Sequence, residues 1–148
     1  MKKICVIDGM GGGIGSEIIS HLNKKLAKQK TPGSPGIPGT ELVILALGTN
    51  AGATERMIAA GASRGASGEN AIKINTAGAD FIIGPIGIAF PNALMGEITP
   101  TIAESISLSP AIKILIPVTQ THYIIPGLED KPLAEFIEQG IEKILDVL

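Results

Sequence analysis

A chain of 148 residues with a hydrophobic share of 45% suits one ordinary domain, able to bury roughly 70% of the surface its unfolded form would expose. A formal net charge of −2, no Trp, one Tyr and three Phe exclude the basic, aromatic-rich face of a nucleic-acid platform. The single cysteine, Cys5, has no partner for an internal disulfide and lies in an apolar run, so it reads as a small core residue in a reducing cytoplasm.

Met1-Lys2-Lys3 and the apolar residues Ile4 to Ile7 have the charge of a signal peptide, but Asp8 and the following glycines cut the apolar part short. They read as a first strand. The loop Asp8-Gly9-Met10-Gly11-Gly12-Gly13-Ile14-Gly15 then leads into a helix in which Ile14, Ile18, Leu22 and Leu26 recur at every fourth place. Lys24, Lys25, Lys28 and Lys30 gather towards its far end, the sign a helix C-terminus favours. His21 at the stripe's edge reads as a half-exposed helix residue, with no Cys or His at i+4 to suggest a metal.

Residues 31–40 form a Pro/Gly insert expected to be an exposed, extended loop. Glu41 to Leu47 is a continuous apolar run, the pattern of a parallel strand covered on both faces. Gly48-Thr49-Asn50 ends it, and Ala51 to Ala60 makes a short helix. Gly61 to Gly68 reads as a small flexible loop. From Glu69 to Ala79 a helix is expected, capped by Ser67, although the alternation Ile72-Lys73-Ile74 also permits a strand. Asp80 to Gly84 is a buried strand ending in Gly84-Pro85-Ile86-Gly87.

The uncharged stretch from Phe81 to Gly96 is broken by Gly84, Pro85, Gly87 and Pro91 and falls short of the roughly 20 residues of a spanning helix, so no membrane segment is expected. Ile88 to Glu97 reads as an apolar loop or broken helix. Thr99-Pro100 opens the next helix as a cap followed by proline at the first position. Ala111 to Pro117 is a strand, Tyr123-Ile124-Ile125 has the look of an edge strand, and Leu133, Phe136, Ile137, Ile141, Ile144 and Leu145 form the stripe of a final helix. Alternating strands and helices imply an α/β fold, a three-layer Rossmann-like domain with a mainly parallel sheet over residues 1–148.

In such a sheet the ligand crevice lies beyond the carboxyl ends of the strands. Four strand ends carry small or polar residues: Gly9 to Gly15, Gly48-Thr49-Asn50, Gly84 to Gly87 and Thr119-Gln120-Thr121. A strand, glycine loop and helix in succession present backbone N–H groups and a helix N-terminus to a phosphate. The expected contacts to a phosphate-containing ligand are therefore Gly9, Gly11, Gly12, Gly13, Ile14 and Gly15, with Thr49, Asn50, Gly84, Pro85, Ile86 and Gly87 around the remainder.

The second strand ends without the acidic residue that binds a ribose 2′-OH. Thr49, Asn50 and, if its loop folds over, Arg64 would instead suit NADP or another nucleotide. No metal is expected. Beside the glycine loop Asp8 would repel a phosphate, so its expected role is to fix the loop by accepting backbone N–H groups. Glu97 and His122, with Asp8, are the candidates for proton chemistry. The main reading is a nucleotide-binding protein, a sensor or accessory subunit, and a homo-oligomer in which Ile86 to Met95 meets another copy. The alternative is a small enzyme acting on a phosphorylated or carboxylated metabolite, with Glu97 or His122 as proton carrier.

Gly9-x-x-x-Gly13-Ile14-Gly15 resembles the glycine signature of short-chain dehydrogenases, with Asp8 where that family has threonine. Tyr123 is followed by Ile124-Ile125-Pro126-Gly127, so the catalytic Tyr-x-x-x-Lys pair is missing, and Asn50-Ala51-Gly52 follows the second strand, the wrong place for their Asn-Ala-Gly element. That resemblance implies binding without hydride transfer. The segments Val6 to Gly15, Ala46 to Asn50, Arg64 to Ile72, Gly84 to Ile88 and Gly96 to Thr99 together resemble an uncharacterised family of short bacterial proteins, a domain of unknown function. The likeness implies a bacterial, cytoplasmic protein and no established activity.

Overall fold

The computed structural model describes residues 1–29, 41–118 and 123–148. The Pro/Gly insert, residues 31–40, and the strand end 119–122, which includes His122, lie outside the described residues. Five strands, β1 (Lys2–Asp8), β2 (Leu42–Gly48), β3 (Arg64–Ser67), β4 (Phe81–Pro85) and β5 (Ile112–Ile116), form one sheet in the order β3-β2-β1-β4-β5. Every neighbouring pair is parallel, so all five carboxyl ends lie on one edge. Strand order reverses between β1 and β4, which places the crevice of this Rossmann-like fold between the loops that follow them.

Alternation along the central strands sorts the core into two layers. Ile4 and Val6 of β1 face one side with Ile18, Ile19 and Leu22 of α1 (Gly13–Gln29), Met57 of α2 (Ala51–Ala59) and Ile137, Ile141 and Ile144 of α5 (Leu133–Val147). Cys5 and Ile7 face the other, with Ile72 of α3 (Glu69–Thr76) and Ile102, Ala103 and Ile106 of α4 (Pro100–Leu108). Two covered faces explain the unbroken apolar runs of β1 and β2. Burial pushes the Cys5 thiol up to about 11, against the pull of Lys3, which leaves it an inert core residue.

Thr99 caps α4 as expected, its hydroxyl oxygen accepting the Ile102 N–H at 3.1 Å with Pro100 at the first turn. Three expectations are corrected. The supposed flexible loop Gly61–Gly68 contains β3, which runs along β2 from Leu45↔Arg64 to Gly48↔Ser67. Its residues have little strand propensity; backbone pairing and the close approach of α2 override it, since a Cβ on Gly65 would come within 2.6 Å of Ile58 Cδ1 and 2.8 Å of Thr54 Cγ2. Ser67 does not cap α3. Gly68 holds that position at φ 98°, and the Ser67 hydroxyl pairs with Thr54 Oγ1 at 2.7 Å.

Tyr123-Ile124-Ile125 forms no strand. Tyr123 stacks on Phe90, ring centroids 4.6 Å apart and planes within 8°. In the Ile86–Met95 stretch, Ile88, in a 3₁₀ turn over Ile86–Ala89, is fully buried, and Leu94 packs on the second core layer. Met95 is left mostly in solvent, while Ile86 and Phe90 stay half-buried.

Candidate functional site

β1 delivers Asp8 to the carboxyl edge and buries it. Its two oxygens accept the Gly9 N–H at 2.8 Å and the Gly15 N–H at 2.7 Å, so the carboxylate ties the start of the glycine loop to the start of α1. Burial pushes the Asp8 carboxyl above its ordinary range, the Gly15 and Gly9 N–H groups oppose that, and the charge of Glu97 adds to it. The loop is closed by Gly12 N–H donating to the Gly9 carbonyl at 2.9 Å, with Met10 and Gly12 at φ 50° and 72°.

Glu97 sits on the other side of the same loop. Its carboxylate accepts the Met10 N–H at 2.7 Å, the Thr49 hydroxyl at 2.9 Å and the Asn50 amide at 2.6 Å, joining three separate segments. Asn50 also donates to the Met10 carbonyl at 2.9 Å while its side-chain oxygen caps α2 through the Ala53 N–H at 2.8 Å. Partial burial works against the Glu97 carboxylate, but the donors from Asn50, Thr49 and Met10 outweigh it and hold the group below its ordinary range. It is therefore an ionised acceptor near neutral pH.

The segment that presents Glu97 has unusual backbone. Asn92, Leu94 and Met95 have φ of 66°, 54° and 56°, and Gly96 follows at 88°. Left-handed residues normally occur singly because a Cβ there costs roughly 1–2 kcal/mol per residue, so Leu94-Met95-Gly96 is a strained turn of the kind that clusters at functional sites. The Asn92 N–H donates to Ile98 O at 2.6 Å and the Ile98 N–H to Ala93 O at 3.2 Å, closing the turn over a fully buried Ile98.

The glycines of the loop fall into two groups. A Cβ at Gly9 would lie 2.6 Å from Thr49 Oγ1; at Gly12 it would lie 2.8 Å from the Ala53 backbone; at Gly15 it would overlap Met57 Sδ and lie 2.9 Å from Asp8 Cβ. Packing demands glycine at all three. At Gly11 and Gly13 an added Cβ would meet only the end of Arg56, no closer than 3.8 and 3.5 Å. The N–H groups of these two residues take no partner among the described residues, and Arg56 Nη1 reaches over them to the Gly11 carbonyl at 3.4 Å.

Of the residues expected from sequence, the structure brings Asp8, the glycine loop, Thr49, Asn50 and Glu97 together. Gly84 serves packing, because a Cβ there would strike the Ile7 carbonyl of β1, and Pro85 and Gly87 are buried beneath the crevice. Ile86 faces an apolar cavity of about 360 Å³ shared with Tyr123, Leu133 and Phe136. Ile14 and Leu133 meet along a shallow groove of about 850 Å³ whose polar lining includes Ser16, His21, Lys24 and Arg56.

Arg64 is not in the crevice. It pairs with Leu45, three residues before the strand end at Gly48↔Ser67, roughly 10 Å back along the sheet. The cation beside the loop is Arg56, which sequence reasoning missed. The signal was present, since Ala53 and Met57 form the buried face of α2 and Arg56 borders it as the basic residue of that helix. Among the described residues no three His, Cys, Asp or Glu side chains are grouped to hold a metal, and no helix is long and apolar enough to cross a membrane.

Nothing among the curated proteins matches the chain. A family model does match, over residues 3–148, and the chain belongs to that family, the domain of unknown function DUF3842.

Proposed function

We propose that the crevice between the β1 and β4 loops binds a phosphate-containing metabolite of the nucleotide class, NADP-like or mononucleotide, with a phosphate against the N–H groups of Gly11 and Gly13 and facing Arg56. One observation carries the reading. These two glycines, unlike Gly9, Gly12 and Gly15, are not required by packing, and they are also the loop residues whose N–H groups take no partner among the described residues and have a guanidinium overhead. A ligand that must approach the backbone closely accounts for glycine at both places.

Two backbone donors and a guanidinium, at about 1.5–3 kcal/mol each for charge-assisted hydrogen bonds, approach the roughly 8 kcal/mol of micromolar affinity. The rest of the ligand must add contacts, and the open space beside the loop lies over α1 and towards the cavity under Ile86. Glu97 already fills the space over Thr49 and Asn50. The role is binding, as in a sensor or accessory subunit, because Asp8 and Glu97, the carboxylates that touch the loop, are both engaged as hydrogen-bond acceptors.

Titration calorimetry with NAD, NADP, ATP, GTP and their monophosphates tests the reading. A member of the panel should bind, and Arg56→Gln should weaken it by about tenfold to a hundredfold, the value of one charged hydrogen bond. Absence of heat and of any melting-temperature shift across the panel at millimolar concentration, or binding indifferent to Arg56→Gln, refutes it.

A further inference from the structure

The Met10 N–H meets one oxygen of the Glu97 carboxylate at 2.7 Å, and the Thr49 hydroxyl and the Asn50 amide meet the other at 2.9 and 2.6 Å. They come from the β1 loop, the end of β2 and the cap of α2, and two of the three segments are tied down independently of Glu97, Asn50 by the Ala53 N–H and the Met10 carbonyl and Thr49 by its own N–H on the Asp8 carbonyl. This is the donor set of an oxyanion site, and a tethered side chain occupies it. Resting on the phosphate reading above, we propose that Glu97 stands in a second anion position, that the ligand carries two adjacent phosphoryl groups, and that the second of these displaces Glu97.

The positions adjoin. Met10 and Gly11 are consecutive, about 3.8 Å apart at Cα, so anions held by their N–H groups are neighbours, as the phosphoryl groups of a diphosphate are. A single phosphate at Gly11 and Gly13 leaves Glu97 where it is. A diphosphate cannot, because its second group and the Glu97 carboxylate need the same three donors and carry the same sign of charge, and like charges in contact are strongly disfavoured. The tether is suited to leave. Met95 at the tip of its turn is 89% exposed, a Cβ on Gly96 would touch nothing within 4 Å, and the first anchored residue beyond Glu97 is the buried Ile98. Swinging Met95, Gly96 and Glu97 outward about Leu94, which stays packed on the second core layer, unpacks no core side chain and releases left-handed backbone at Met95. The device favours diphosphate esters over monophosphates only when the whole diphosphate is present to compete.

Calorimetry with inorganic phosphate and inorganic pyrophosphate on the full chain tests this. Glu97→Gln keeps the side chain's shape and removes its charge; it should tighten pyrophosphate binding by about tenfold or more and leave phosphate binding nearly unchanged. Arg56→Gln should weaken both. If Glu97→Gln leaves pyrophosphate binding equal or weaker while Arg56→Gln still weakens phosphate, displacement is wrong and the phosphate site stands. If Arg56→Gln alters neither anion, the site beneath both readings is wrong. Hydrogen exchange of the unmodified chain gives a readout independent of any variant. The Glu97 N–H donates to the Leu94 carbonyl at 3.1 Å, so pyrophosphate should speed exchange at Gly96 and Glu97 and phosphate should not. Slower or unchanged exchange with pyrophosphate overturns the proposal.

Discussion

Gly9, Gly12 and Gly15 differ from Gly11 and Gly13 in what a methyl group would meet. The first three are walled in by Thr49, the Ala53 backbone, Met57 and Asp8; the other two face one flexible guanidinium and solvent. The same residue type, repeated within seven positions, therefore does two jobs. The first set lets β1, α1 and α2 close on each other, and only the second is left for a ligand. A glycine-rich loop is thus evidence for binding only in those glycines that the fold does not already need.

The comparison breaks most visibly on the packed side. Gly12→Ala should cost the most, because residue 12 has φ 72° and its Cβ would meet the Ala53 backbone, which cannot rotate away. A left-handed penalty of about 1–2 kcal/mol with overpacking of about 1–3 kcal/mol lowers the melting temperature by roughly 4–20 °C at 2–4 °C per kcal/mol. Gly15→Ala should cost about 1–3 kcal/mol, less because Met57 can shift its flexible side chain. Scanning calorimetry reads both. A Gly12→Ala protein that melts with the parent would remove the distinction between the two sets.

The two carboxylates sharpen it next. Glu97 has a depressed folded-state value, so its contribution to stability is present above the ordinary range near 4.5 and is lost as pH falls through the folded value. Asp8 has a raised value, so it weakens the fold above that value and acidification relieves this. In the parent the two slopes oppose each other in the acid range. Glu97→Gln should flatten the acid limb of a melting-temperature profile and Asp8→Asn should steepen it, each by an amount on the order of 1–3 °C. Equal slopes in all three proteins would contradict the assigned shifts.

Much of the architecture was legible because it rests on unbroken apolar runs. The strands around Ile4–Ile7, Val43–Leu47 and Phe81–Ile83 are covered on both faces, and covered parallel strands leave no polar interruptions to confuse the reading. β3 was illegible for the opposite reason. Arg64-Gly65-Ala66-Ser67 has no apolar run, and its strand state comes from β2 on one side and α2 above it, both distant from its local sequence. Tyr123-Ile124-Ile125 misled the other way, since β-branched and aromatic residues suggest a strand, whereas Tyr123 is engaged by stacking on Phe90 and not by a ladder. At the site, the role of Asp8 as an acceptor of loop N–H groups followed from an acid placed at a strand end beside glycines. Arg56 beside the loop was harder to read, because which cation reaches the loop depends on how α2 docks, and the docking is set by Ala53 and Met57 against Gly12 and Gly15.

The smallest expected effect is the most discriminating. Gly11→Ala and Gly13→Ala should change stability by less than about 0.5 kcal/mol, because neither residue has a positive φ and each new Cβ would sit at ordinary contact distance from Arg56. Gly13 opens α1, where alanine is the better helix former and offsets the contact by about a few tenths of a kcal/mol. Yet the methyl group at residue 13 would stand where the ligand's phosphate must approach the N–H, so binding of the panel ligand should fall by about tenfold, the value of one lost hydrogen bond. Loss of stability matching that of Gly15→Ala would make residue 13 another packing glycine. Unchanged stability together with unchanged affinity would leave glycine at 13 serving neither purpose, and the phosphate would have to be sought elsewhere on the loop.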